Sequence, residues 1–117
     1  MSTIRSVARF RIHPGKVEEF KRLSANCMRL AREKDTGTLR YEIAFSAGES
    51  RCIVYEEYVD SEACIRHFQN MGENAAAIFA IVDAEGDMWG DPSTELRAAL
   101  GEHGVTIYAP YLSLNND

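Results

Sequence analysis

Two side chains carry the chemistry that a plain apolar core would not need: Glu56 and His67. Glu56 falls in Cys52-Ile53-Val54-Tyr55-Glu56-Glu57-Tyr58, a run that alternates as a strand does. A four-residue loop at Ala47 to Ser50 would fold this run back on Leu39 to Phe45. Ser46 would then meet Arg51, Phe45 Cys52, Ile43 Val54, Tyr41 Glu56 and Leu39 Tyr58. That face is apolar except for Glu56, and an ionised carboxylate there is costly unless paired or functional. His67 sits at the edge of a helical apolar stripe, one turn after Ala63 and Cys64 and one turn before Met71. A carboxylate beside an imidazole can work as an acid–base pair, Glu56 orienting the ring and raising its pKa while His67 moves a proton. The same two groups could equally form a structural bond joining helix to sheet. Tyr41, opposite Glu56, either donates to it or to a substrate oxygen, or only packs. Asn74 either supplies an amide to an oxyanion or is solvated. Trp89, the only tryptophan, is a core or interface anchor, or else a pocket wall.

The elements that must position these groups read directly from periodicity. Residues 3 to 13 alternate as a half-buried strand broken by His13-Pro14-Gly15. From Gly15 to Lys34, Val17, Phe20, Leu23, Cys27, Leu30 and Ala31 recur at helical spacing, and Asp35-Thr36-Gly37 ends the helix. After the hairpin, Asp60-Ser61 offers an N-cap to a second helix, kinked near Gly72 and reaching about Val82. A short strand at Ala84 to Gly90 follows. Pro92-Ser93 opens a further helix through Leu96 and Leu100, Val105 to Ala109 form a last strand, and Asn115-Asn116-Asp117 a frayed tail. The order β-α-β-β-α-β, with an added C-terminal helix and strand, is the α+β ferredoxin-like pattern. One domain spans 1–117, with its core at about 3–90 and the extension at about 91–114.

In this arrangement helices cover one sheet face. The other would carry Val7, Arg9, Arg11, Arg40, Glu42, Ile53, Tyr55 and Glu57. Apolar residues amid charges of both signs suggest a homodimer in which two such faces stack, with Arg9, Arg11, Arg40, Glu42, Tyr55 and Glu57 at the interface. The alternative is a solvated face with weak cross-strand ion pairs.

The 117 residues carry a net charge of −5, which argues against nucleic acid as a partner. No apolar run approaches the roughly 20 residues of a membrane span, and Met1 to Val7 lack the apolar core of a signal peptide. Cys27, Cys52 and Cys64 fall on apolar faces without metal-type spacing and read as reduced thiols of a cytoplasmic protein. His13, His67 and His103 are far apart, so no metal is expected. Neither a phosphate loop nor a nucleophile elbow is present.

The ordered set His13-Pro14-Gly15-Lys16-Val17-Glu18-Glu19-Phe20, Gly37-Thr38-Leu39-Arg40-Tyr41-Glu42, Tyr55-Glu56-Glu57-Tyr58 and Asp60-Ser61-Glu62-Ala63 with His67 resembles the antibiotic biosynthesis monooxygenase domain over about residues 3 to 84. The resemblance implies a dimeric α+β barrel. It further implies oxidation of a quinol-like or phenolic small molecule by O2 with no cofactor, in a pocket between sheet and helices. Tyr58 would occupy the family's aromatic pocket position. Haem-degrading members use an asparagine, a tryptophan and a ligating histidine where this chain has Ala8, Tyr58 and the Ala75-Ala76-Ala77 neighbourhood, so haem chemistry is not expected. On this reading His67 and Glu56 are catalytic, and Tyr41, Tyr58, Asn74 and Trp89 line the substrate site. The alternatives are a non-catalytic dimeric module binding a small aromatic ligand, or an isomerase-type member of the fold.

Overall fold

The computed structural model describes residues 3–101 and 103–115. The last two positions of the expected frayed tail and the first two residues of the chain lie outside that range. Among the described residues nine elements follow one another: β1 (Ile4–Ile12), α1 (Val17–Lys34), β2 (Thr38–Phe45), β3 (Arg51–Tyr58), α2 (Ser61–Met71), α3 (Glu73–Phe79), β4 (Val82–Trp89), α4 (Thr94–Leu100) and β5 (Val105–Tyr108). The sheet runs β2-β3-β1-β4-β5, antiparallel throughout except for the parallel β4–β5 pair. This is the expected ferredoxin-like sheet with the expected extension.

The hairpin forms in the anticipated register from Phe45↔Cys52 to Tyr41↔Glu56, closed by the Ser46 amide donating to the Arg51 carbonyl at 2.9 Å. Two local expectations are corrected. A bulge between Thr38 and Arg40 sets Thr38 against Tyr58 and leaves Leu39 53 % exposed, where pairing with Tyr58 was expected. The second helix does not run through Gly72 to Val82. Gly72 takes φ 54°, a left-handed conformation that stops α2, and a separate short α3 ends at Phe79. Val82 therefore begins β4 two residues before the expected start.

Pairing of β1 with β3 places Ile4, Ser6, Ala8, Phe10 and Ile12 on the face that also bears Tyr58, Glu56, Val54 and Cys52. Two apolar clusters cover that face. One joins Phe10, Ile12, Cys52 and Val54 to Phe20, Leu23 and Cys27 of α1, Met71 of α2 and Ile78 of α3. The other joins Ile4, Tyr58 and Met88 to Cys64 of α2 and to Leu96 and Leu100 of α4. All three cysteines are free and buried, and burial pushes the Cys52 thiol up to about 11.

The opposite face is charged but largely paired within the chain. Arg9 bonds Glu85 and Asp87 of β4, Glu57 lies between Arg5 and the Tyr55 hydroxyl, and Arg40 sits 3.5 Å from Glu42. Val7, Tyr55 and Ile53 lie among these charges.

A close approach fixes how α1 delivers the chain to β2. A Cβ on Gly37 would stand 2.5 Å from Ala63 Cβ and 2.9 Å from Val59 Cγ2, so only glycine lets this turn rest on the first turn of α2. The Gly37 carbonyl also accepts from the Val59 amide at 2.9 Å. Gly37→Ala is expected to cost about 1–3 kcal/mol, the usual penalty for overpacking a tight contact, measured by urea unfolding. A change below about 0.5 kcal/mol would show that the turn relaxes freely.

Candidate active site

α1 ends at Asp35, whose amide still bonds the Ala31 carbonyl while its backbone turns extended. The turn to β2 and the Gly37 contact bring its side chain against α2. There the Asp60 side chain caps the helix by accepting from the Ala63 amide at 2.8 Å. Cys64, His67 and Met71 then fall on the buried face of α2. His67, only 2 % exposed, places Nδ1 2.6 Å from Asp35 Oδ2. The same Oδ2 accepts from Thr38 Oγ1 at 2.7 Å, and Oδ1 accepts from Asn70 Nδ2 at 2.8 Å.

Burial alone would raise the Asp35 pKa. The hydrogen bonds from Asn70, His67 and Thr38 outweigh it and hold the carboxyl below its ordinary 3.8. Asp35 is therefore the ionised acceptor, Nδ1 of His67 carries the proton, and in the neutral ring the basic lone pair lies on Nε2. The role of orienting the ring, expected of Glu56, belongs to Asp35. Glu56 Oε2 instead lies 4.0 Å from Nε2, beyond hydrogen-bond range.

Glu56 is held from the sheet. Its Oε1 accepts from the Tyr58 hydroxyl at 2.5 Å and from Ser6 Oγ at 3.5 Å. Tyr58 is wholly buried, and burial together with the nearby Glu56 charge pushes its phenol well above 10, so it remains a donor. Burial likewise raises the Tyr41 phenol, with Cys27 and Glu56 adding to the effect. The Tyr41 ring meets His67 edge-on at 5.0 Å.

Tyr41, Glu56 and His67 line a small cavity of about 60 Å³ between sheet and helices, walled by Phe10, Phe20, Ile43, Val54, Met71 and Ile78. That is room for about two water molecules. Phe68 and Phe79, both partly exposed, stand at the solvent side of this cavity. Phe79 packs edge-on against Phe10 and stacks on His103. The cavity as it stands is smaller than an aromatic ring.

Three of the expected substrate residues stand elsewhere. Tyr58 supports Glu56 from the second cluster and does not line the cavity. Asn74 donates to the Met71 carbonyl at 3.2 Å and closes the end of α2. Trp89 pairs in register with Arg5, which bonds Glu57 on the open face, so it lies across the sheet from His67. Asp35, Thr38, Asn70 and Ser6 were not anticipated. The signals for the first two were an aspartate ending a helix and a threonine three residues later, a spacing that closes side-chain turns. Among the described residues no three His, Cys, Asp or Glu side chains converge as a metal ion would need.

The Asp35 geometry carries a pH dependence. Because its folded pKa is depressed, its contribution to stability is present above about pH 3.8 and is lost as pH falls through the lower folded value. Asp35→Asn is expected to cost about 1–3 kcal/mol at pH 7 and to flatten the acid limb of the stability curve. Urea midpoints between pH 2 and 7 measure both, and an unchanged acid limb would sink the assignment.

No curated protein matches the chain. Solved structures do. MupZ from Pseudomonas fluorescens superposes with a TM-score of 0.84 at 19% identity, covering 97% of this chain and 94% of its own. SnoaB, a cofactor-independent oxygenase from Streptomyces nogalater, superposes at 0.67 with 18% identity, covering 80% and 97%. A conserved protein from Methanosarcina mazei Go1 gives 0.65 at 22%, covering 80% and 95%. At these identities the likeness establishes the fold. Residues 3–78, well over half of the chain, match the family model for antibiotic biosynthesis monooxygenases, and the chain belongs to that family.

Proposed function

We propose that the protein is a cofactor-independent monooxygenase of a phenolic or quinol-like small molecule, with His67 as general base. The observation that carries this reading is the division of the imidazole: Nδ1 is committed to ionised Asp35, which leaves Nε2, 4.0 Å from Glu56, as the nitrogen that can exchange a proton beside the cavity. His67 Nε2 takes the proton of the substrate hydroxyl, and the resulting phenolate is electron-rich enough to react with O2. One oxygen atom ends on a ring carbon as a carbonyl and the other leaves as water, with the substrate supplying all the electrons. Glu56, facing Nε2, stabilises the imidazolium that forms. Tyr41 stays a neutral phenol and can donate to the substrate oxyanion. The apolar walls exclude water from the anion. The family and the oxygenase activity of SnoaB agree with this reading.

His67→Ala is expected to lower kcat/KM for quinol-dependent oxygen uptake by about 10²–10⁴, the range of a general base. Asp35→Asn is expected to lower it less, by mis-setting the tautomer. Turnover that survives His67→Ala unchanged would defeat the mechanism. Proton transfer alone, without O2, is within reach of the same dyad, so substrate isomerisation with no oxygen uptake would favour an isomerase-type reaction.

The open sheet face is proposed as the homodimer interface, since it carries Val7, Tyr55 and a 45 % exposed Ile53 among ion pairs already satisfied within the chain. The free buried thiols accord with a cytoplasmic setting. Sedimentation is expected to give a dimer at micromolar concentration and a monomer for Ile53→Asp. A wild-type monomer would exclude stacking.

A further inference from the structure

The walls of the cavity beside His67 are not equally firm. Ala75, Ile78 and Phe79 of α3 close it together with Phe68 and Met71 of α2, and the remaining walls belong to α1 and the sheet. α1 buries Phe20, Leu23, Ser24, Cys27 and Ala31, and α2 buries Cys64, His67 and Met71, but α3 buries Ile78 alone. At 7 residues α3 is also shorter than the roughly 12 that an isolated helix needs, so its order depends on what it rests against. At its start Gly72 takes φ 54° and ψ −129°, a conformation that residues with side chains rarely adopt. Among the described residues no side chain caps that end of α3. Past its other end the Ile81 carbonyl accepts from the His13 amide at 2.9 Å and returns the chain to the sheet. Between these points Phe79 makes two ring contacts. It stands edge-on to Phe10 at 5.9 Å and stacks at 5.7 Å on His103, in the turn between α4 and β5.

We infer that α3 is a lid over the cavity, hinged at Gly72, anchored at Ile81 and latched by Phe79 against His103. The cavity of about 60 Å³ is smaller than an aromatic ring, so entry of such a ring means displacing a wall, and α3 is the wall with the least buried. Elements held by few apolar contacts are the ones that open locally while the rest of a fold stays closed. Lifting α3 withdraws Ala75, Ile78 and Phe79 and leaves the Asp35–His67 bond, which joins α1 to α2, in place. The inference concerns access alone and holds whatever reaction the cavity serves, so its test uses no substrate.

Cys27 of α1 lies in the cavity wall beneath the lid, whereas Cys52 and Cys64 lie outside that wall, and all three thiols are free and buried. The ligand-free protein is treated with N-ethylmaleimide without denaturant, and each cysteine is followed by mass spectrometry of its own peptide. Cys27 is expected to react at least about tenfold faster than Cys52 and Cys64, because opening of α3 uncovers it alone. His103→Ala, a change at an exposed position, is expected to speed Cys27 about two- to tenfold, the worth of one stacked ring pair, and to leave the other two rates unchanged. Equal rates at the three cysteines of the wild type would mean that Cys27 is reached only by global unfolding, and the lid would be overturned. An unchanged Cys27 rate in His103→Ala, or a rise shared by all three thiols, would overturn it as well.

Discussion

The Asp35 carboxylate is the constraint on which the arrangement of this protein turns. Its two oxygens receive three donors: Asn70 on one, and Thr38 and His67 on the other. Asp35 closes α1, Thr38 opens β2, and Asn70 and His67 lie one turn apart on α2. One buried charge thus ties two helices and an edge strand together. Burying a carboxylate is tolerable only with this density of donors, and the donors in turn fix its ionisation. The imidazole inherits both orientation and tautomer from that solution. Packing alone would place the ring without deciding which nitrogen faces the cavity.

The sheet separates two kinds of surface that period-two alternation makes from one set of strands. Facing the helices, Glu56 is held by hydroxyls from its own strand and from β1, so its position is set by backbone pairing. Facing away, arginines of β1 meet acids of β3 and β4 across the ladder. Exposed pairs of this kind contribute little stability singly. They do neutralise a face that would otherwise resist contact with a like-charged surface. Odd and even positions of β1 and β3 therefore serve different ends, and a one-residue slip would exchange them.

Much of this was legible in the sequence because it rests on periodicity. The α1 stripe and the hairpin register from Phe45 to Tyr41 follow from spacing, and the order of the elements then sets Glu56 and His67 on facing surfaces of sheet and helix. Other features depend on contacts that spacing does not encode. Asp35 lies 32 positions from His67 and sits in Asp-Thr-Gly, a run that reads as a helix stop, so its second role appears only once α1 and α2 meet. Ser6 is a small polar residue in a strand whose arginines dominate the pattern. The bulge at Leu39 shifts one position of an otherwise regular ladder. Trp89 alternates correctly within β4, but which face it takes is settled only by its partner Arg5.

The C-terminal extension explains why Tyr58 became a support and not a wall of the cavity. Leu96 and Leu100 of α4 close over Ile4, Tyr58, Cys64 and Met88, forming a cluster distinct from the one that lines the cavity. The Ser93 side chain caps α4, while the Ser93 amide donates to Ser61 Oγ at 2.8 Å and fastens this helix to the start of α2. Enclosed in this way, the Tyr58 ring has no free face to offer a planar ligand, and its hydroxyl is left with Glu56 as its partner. Burial keeps that phenol protonated, so the bond persists wherever the carboxylate can accept it. The added helix therefore acts on the site from behind: by burying one tyrosine it fixes the hydroxyl that holds Glu56, whose other oxygen lies 4.0 Å from the imidazole.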